Sequence, residues 1–267
     1  MTYASIMVAV DLTDSARSRV RLAGHLADVF QARLIGSAAE QPVYLVPPTG
    51  PTPASAFAQP ETGEIVLNDL RLAHEAFREA VGTRSRVEWR SNLEAPLPFL
   101  IGQAAAADLV VVGRGSEPTP FAVDPGDAVM QLGLPVLVVP SGIDHLDAKR
   151  VVVGWKNTRE ARRAVRDALP ILKRASEVLI VSVDDAAGSD GQDMLRLLQA
   201  HTVAALRVRR EARGASAAEA LVEAAAEHGA DLIVTGAYGH GRLREWVFGG
   251  VTRDLLAGAP LCCLMSH

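Results

Sequence analysis

Short apolar runs alternate with longer amphipathic stretches from one end of the chain to the other. Runs such as Leu109–Val112, Val136–Val139 and Leu232–Val234 are continuous rather than alternating, the pattern of strands buried on both faces. Strand followed by helix, repeated, predicts a parallel sheet covered on both sides. Strands are expected near 5–10, 33–38, 86–90, 108–113 and 135–139, then near 150–154, 177–183, 204–210, 231–236 and 260–265. Helices are expected near 13–30, 63–81, 95–106 and 125–133, then near 158–174, 189–201, 215–228 and 249–257. Ser216, followed three residues later by Glu219, has the spacing of a capping box and marks one helix start. Residues 40–60 carry Pro42, Pro47, Pro48, Pro51, Pro53 and Pro60, so they continue neither element and form a long loop, either a lid over a site or a mobile connection.

The pattern occurs twice. Ile6–Val10 followed by Asp14-Ser-Ala16 aligns with Val151–Gly154 followed by Arg159-Glu-Ala161. Ala106–Gly113 aligns with Gly229–Gly236, and Gly133–Val139 with Gly258–Leu264. Three matches in one order indicate a duplicated unit. The junction falls near Ser141–Asp147, giving domains at 1–143 and 148–267.

The segment after Leu232–Val234 carries the clearest chemistry. Gly236, Gly239 and Gly241 lie in a loop leading to Gly249, Gly250, Val251 and Thr252 at the next helix start. Glycines let a backbone approach an anion closely, and open amides at a helix N-terminus attract it. A tight strand-to-helix turn without a ligand would also select glycine. His240 sits inside the loop as a possible phosphate donor or as a simply exposed side chain. Arg242, Arg244 and Arg253 flank the loop as phosphate partners or as surface ion pairs with Glu245 and Asp254.

Gly236-x-x-Gly239, then nine residues, then Gly249 resembles the nucleotide signature of the universal stress protein family, with Gly250 where that family has Ser or Thr. The resemblance extends over the whole chain as two domains in tandem. It implies an α/β fold class of two tandem, doubly wound, five-stranded parallel sheets of the adenine-nucleotide-binding, Rossmann-like kind. It also implies a ligand crevice between the first and fourth strands of each copy, with ATP and Mg2+ as cofactors. Single-domain relatives dimerise through their last strands. A tandem chain can make that contact internally, pairing 135–139 with 260–265 as an intramolecular pseudo-dimer, either a monomer or part of a further homodimer.

The two copies differ at this crevice. The first has Glu117, Asp124 and Asp127 where a polyphosphate would sit, and Pro125 removes an amide donor. It keeps Asp11, which matches an acidic residue that the family places after the first strand, yet its nucleotide site reads as degenerate. The second copy keeps the glycines and Thr252 but has Lys156 at the position of Asp11, with Trp155 beside it. Lys156 is a phosphate partner or a solvated lysine; Trp155 stacks on a base or packs in the interior. The candidate nucleotide-binding residues are therefore Gly236, Gly239, His240, Gly241, Gly249, Gly250, Val251, Thr252, Trp155 and Lys156.

Composition narrows the function classes. With 267 residues, 49% hydrophobic and 22% charged, the chain has length for two modest cores. A net charge of -4 leaves no electrostatic footprint for nucleic acid, and no apolar run approaches the roughly 20 residues needed to span a bilayer. The start reads as a strand, which implies a cytoplasmic location. Adjacent Cys262 and Cys263 would point to opposite faces of a strand as reduced, buried thiols. The histidines outside the loop show no close pairing typical of a metal site, so none is expected. The basic string from Arg207 to Arg213 reads as a solvated sheet edge. No nucleophile elbow, Cys–His pairing or Walker-type lysine is visible. The expected function is a stress-response protein that binds adenine nucleotide in its C-terminal copy. The alternatives are a protein-interaction module without nucleotide and a slow ATPase.

Overall fold

The computed structural model describes residues 2–42, 60–115, 119–183, 191–212, 215–239 and 250–267. The first copy runs β1 (Ser5–Ala9), α1 (Asp14–Phe30), β2 (Arg33–Ala39), α2 (Pro60–Val81), β3 (Val87–Asn92), α3 (Pro96–Gln103), β4 (Leu109–Gly113), α4 (Pro125–Gln131) and β5 (Val136–Val139). The second runs β6 (Arg150–Gly154), α5 (Arg159–Leu172), β7 (Glu177–Val183), α6 (Gln192–Ala200), β8 (Ala205–Arg210), α7 (Ala217–His228), β9 (Leu232–Gly236), α8 (Val251–Gly258) and β10 (Cys262–Ser266). Each expected strand is present. The expected helix at 95–106 is shorter, because Ala104–Ala106 tighten into a 3-10 turn before the chain extends into β4. Most of the proline-rich loop, residues 43–59, lies outside the described residues.

The two five-stranded sheets are fused. Strand order is β3-β2-β1-β4-β5-β10-β9-β6-β7-β8, one ten-stranded sheet that reads the same from either edge. Its single antiparallel step is the centre, where Val138 faces Cys263, Leu137 faces Leu264 and Val136 faces Met265. The remaining neighbours are parallel. Side chains alternate between two apolar layers, each continuous across both copies. One layer joins Ile6, Val111, Leu137, Leu264 and Val153 beneath α1, α2, α5 and α6. The other joins Met7, Val110, Val138, Cys263 and Val152 beneath α3, α4, α7 and α8. Cys262 and Cys263 therefore enter opposite layers, and burial pushes their thiols up to about 12 and about 11. Such thiols stay protonated and unreactive at neutral pH.

Both copies wind alike. The chain leaves β1 for β2 and β3 on one side and returns to β4 on the other, opening a crevice at the carboxyl ends of β1 and β4; β6 and β9 repeat this. The repeated aspartates are part of the same plan. Asp108 accepts the amides of Ala4 and Ser5 at 2.7 and 3.0 Å, and Asp231 accepts those of Asp147 and Ala148 at 3.1 and 3.0 Å. Each carboxylate fixes the entry into the first strand of its own copy. The capping box forms as expected, with Ser216 N donating to Glu219 at 2.6 Å and Glu219 N to Ser216 Oγ at 3.2 Å. No described helix is long and apolar enough to cross a membrane.

Replacing Asp231 or Asp108 by Ala removes one acceptor from two backbone amides. Each change should cost about 1–3 kcal/mol, read as a lower urea midpoint of unfolding. Unchanged midpoints in both variants would show that these carboxylates do not hold the strand starts.

Candidate functional site

In the second copy, the crevice at the ends of β6 and β9 holds a cavity of about 420 Å3. Gly154, Trp155, Lys156 and Thr158 close it on the β6 side, and Thr235, Gly236, Tyr238 and Gly239 on the β9 side. Val181, Val183, Ala217 and Leu221 form an apolar wall, and Gly250, Val251 and Thr252 bring in the start of α8. Seven of the ten sequence-predicted residues thus line one space. His240, Gly241 and Gly249 lie outside the described residues, as do Arg242, Arg244 and Glu245.

The glycines have identifiable packing roles. A Cβ on Gly236 would stand 2.4 Å from the Ala161 amide nitrogen and 2.5 Å from the Glu160 carbonyl carbon. Only glycine lets the first turn of α5 rest on the end of β9. Gly239 faces Glu160, whose Oε2 would lie 2.9 Å from a Cβ there. Between them, Tyr238 takes a left-handed φ of 54°, which is unfavourable for a side chain of its size. Thr252 compensates: its buried hydroxyl accepts the Tyr238 amide at 3.2 Å and ties the loop to α8. Ala237 N donates to Ser266 O at 2.9 Å, so β10 fixes the loop's first residue.

Charge is arranged unevenly around the cavity. Gly250 is the N-cap of α8 and provides no side-chain acceptor for the first amides of that helix. Those amides carry the positive end of the helix dipole. Lys156 is exposed and lines the cavity, its carbonyl accepting the Thr158 amide and its ammonium in no salt bridge with a described residue. Trp155 is buried, its indole against Gly191 and the Arg207 side chain, so it packs in the interior while presenting an edge to the cavity. Glu160 was not anticipated. It is 5% exposed, and burial raises its pKa, yet bonds from its own amide, Arg159 and Thr158 outweigh this and hold it below the usual carboxylate range. Its sequence signal is modest: an acid in the first turn after the Thr158 cap, whose hydroxyl accepts the Ala161 amide at 3.2 Å. Arg253 pairs with Asp254 at 3.4 Å on the surface.

In the first copy an arginine reaches into the crevice. Arg19, 3% exposed, donates to Asp11 at 2.6 Å and to the Ala9 carbonyl at 2.9 Å. Its guanidinium lies where a Cβ on Gly113 would be, 2.2 Å from Nη1. Ala164 occupies the matching position of the second copy, where the backbone of α5 packs against Gly236 instead. The first-copy space, about 500 Å3, mixes the charged Asp11, Asp14, Arg19 and Arg114 with the apolar Leu12, Phe121 and Val123. At α4, Asp124 accepts the Asp127 amide at 2.7 Å and Pro125 follows, so this helix start caps itself. Glu117 lies outside the described residues. The two copies also meet here: a Cβ on Gly126 would stand 2.6 Å from the Tyr238 hydroxyl.

Two of the histidines outside the loop, unpaired by spacing in the sequence, come together in space: the rings of His25 and His145 lie 4.0 Å apart between centroids, with Asp147 beside them. The two residues are far apart in sequence, and the linker folds back onto α1 to join them. The basic string at β8 lies at a sheet edge, as expected, with Arg210 paired to Glu227.

Residues 148–267 match the model of the universal stress protein family. No curated protein sequence matches the chain. A universal stress protein from Archaeoglobus fulgidus DSM 4304 superposes with a TM-score of 0.69 at 15% identity, covering 98% of this chain and 96% of its own. A functionally unknown protein from Pseudomonas aeruginosa PAO1 superposes with a TM-score of 0.57 at 16% identity, covering 99% and 92%. A shorter universal stress protein, in complex with cAMP, is 24% identical over 53% of this chain and 100% of its own, with a TM-score of 0.38. The first two superpositions establish the tandem fold along the full chain. The C-terminal copy, residues 148–267, is thus similar to the universal stress protein family, and a second copy of the same fold precedes it.

Proposed function

We propose that the C-terminal copy binds an adenine nucleotide, ATP with magnesium, and that the chain acts as a ligand-dependent regulator in a stress response rather than as a dedicated catalyst. The observation that carries this reading is the uncapped start of α8 at Gly250, open to a cavity with an apolar wall on one side and Lys156 at its mouth. Its volume lies within the about 300–1,000 Å3 common for small-molecule sites. The amides of Gly250 and Val251, with Lys156, suit a phosphate group. Trp155, Val181 and Leu221 suit the flat apolar face of a base. Thr252 supports the site indirectly, by holding Tyr238.

Magnesium has a candidate partner in Glu160, a carboxylate held ionised and facing Gly239. Mg2+ is commonly bound by one or two carboxylates together with substrate phosphates. Nucleotide without metal would instead meet a carboxylate whose charge is balanced only by Arg159. That same carboxylate favours the second reading, in which the crevice holds no nucleotide and the chain is a protein-interaction module. The first copy takes a structural role in either case, because Arg19 and Asp11 occupy its crevice.

Calorimetric titration with magnesium-ATP separates the two. One site per chain, lost in Gly239→Glu, is expected; absence of saturable binding at millimolar ligand would leave the interaction module. Glu160→Gln should bind nucleotide with little dependence on magnesium, whereas an unchanged metal requirement would exclude Glu160 as its partner. Arg19→Ala should lower unfolding stability by about 3 kcal/mol, because it strands Asp11 beside the β1 end, and should not create a second nucleotide site. A stoichiometry of two in that variant would show that Arg19 alone blocks the first copy.

A further inference from the structure

We infer that His25, His145 and Asp147 form a binding site for a divalent ion of the zinc class, clipping the linker between the two copies to α1. The donor atoms of these three side chains all lie within 4.8 Å of one another. The ligand set is two imidazoles and one carboxylate, a combination that suits zinc, with a fourth position left for water.

The backbone already presents these groups. His145 and Asp147 are two residues apart in a linker whose intervening Leu146 is 2% exposed and packed into the core. Neighbours two apart in an extended segment face the same way, so burying Leu146 turns both donors outward, toward α1. Asp231 fixes the segment by accepting the amides of Asp147 and Ala148. His25, on α1, is the rigid third donor. Zinc bonds of about 2.0–2.2 Å place tetrahedral donors about 3.3 Å apart, so the widest pair closes by about 1.5 Å. His145 and Asp147, with side chains 51% and 62% exposed, can make that adjustment by rotation; they already meet at 3.0 Å between Nε2 and Oδ1. The nearby cation, Arg84, is engaged by Asp28 at 2.7 Å, so its charge is locally balanced.

The site is separate from the crevice and does not rest on the nucleotide reading. An ion held there would join the first copy to the chain segment entering β6, and would stabilise the linker when metal is available. The test titrates untagged, chelator-treated full-length protein with zinc chloride, by calorimetry and by thermal unfolding. One saturable site per chain and a raised unfolding temperature are expected. His145→Asn and Asp147→Asn, at exposed positions where folding is not at stake, should each weaken zinc binding by at least about tenfold, as even outer-sphere partners do. His25→Asn should match them, and His201→Ala should bind as the parent does. Absence of saturable binding, or a site whose affinity survives the His145 and Asp147 changes, would overturn the inference.

Discussion

The structure depends on the antiparallel pairing of β5 with β10. Two short, buried and largely apolar strands, Val136–Val139 and Cys262–Ser266, would otherwise be exposed sheet edges, which invite aggregation. Pairing them within one chain satisfies both sets of backbone groups and joins the two apolar layers of each copy across the seam. The seam also sets the geometry of function. Its strand β10 also pairs with β9 on the other side, where Ser266 holds Ala237 at the start of the glycine loop. It likewise brings the Tyr238 hydroxyl against Gly126 of the other copy.

Duplication on such a frame leaves two crevices under unequal constraint. In one, a buried Arg19–Asp11 pair and the Asp124 cap satisfy locally the charges and amides that a ligand would otherwise meet. In the other, Ala164 replaces the arginine, and no side chain caps α8. The difference is one of self-satisfaction: the start of α4 is capped by its own side chain, and the start of α8 is not. Glu160 complicates this contrast, because it sets a carboxylate beside the glycine loop.

Much of the fold was legible in the sequence. Parallel strands buried on both faces appear as unbroken apolar runs, and their repetition with Asp108 and Asp231 in register exposed the duplication. The seam was implied by the family resemblance, and the apolar character of both last strands supported it. The site was legible as a location but not as an assignment of roles. Gly236 is required by the approach of α5 and Thr252 by the strained Tyr238, functions that spacing alone does not separate from ligand contact. Trp155 is both buried and part of the cavity lining. Arg19, Glu160 and the His25–His145 pair escaped because their roles depend on where long side chains point across loops and between distant segments.

On the proposed reading, phosphate meets the open start of α8 in the second copy and finds no counterpart in the first. Backbone amide resonances followed by NMR during addition of magnesium-ATP test it most directly. Gly250, Val251 and Thr252 should shift in a saturable manner, together with Lys156, while Gly126 and Asp127 at the start of α4 keep their positions apart from small changes relayed through Tyr238. Saturable shifts centred on Gly113, Arg114 and Asp127, with Gly250 and Val251 unmoved, would contradict it.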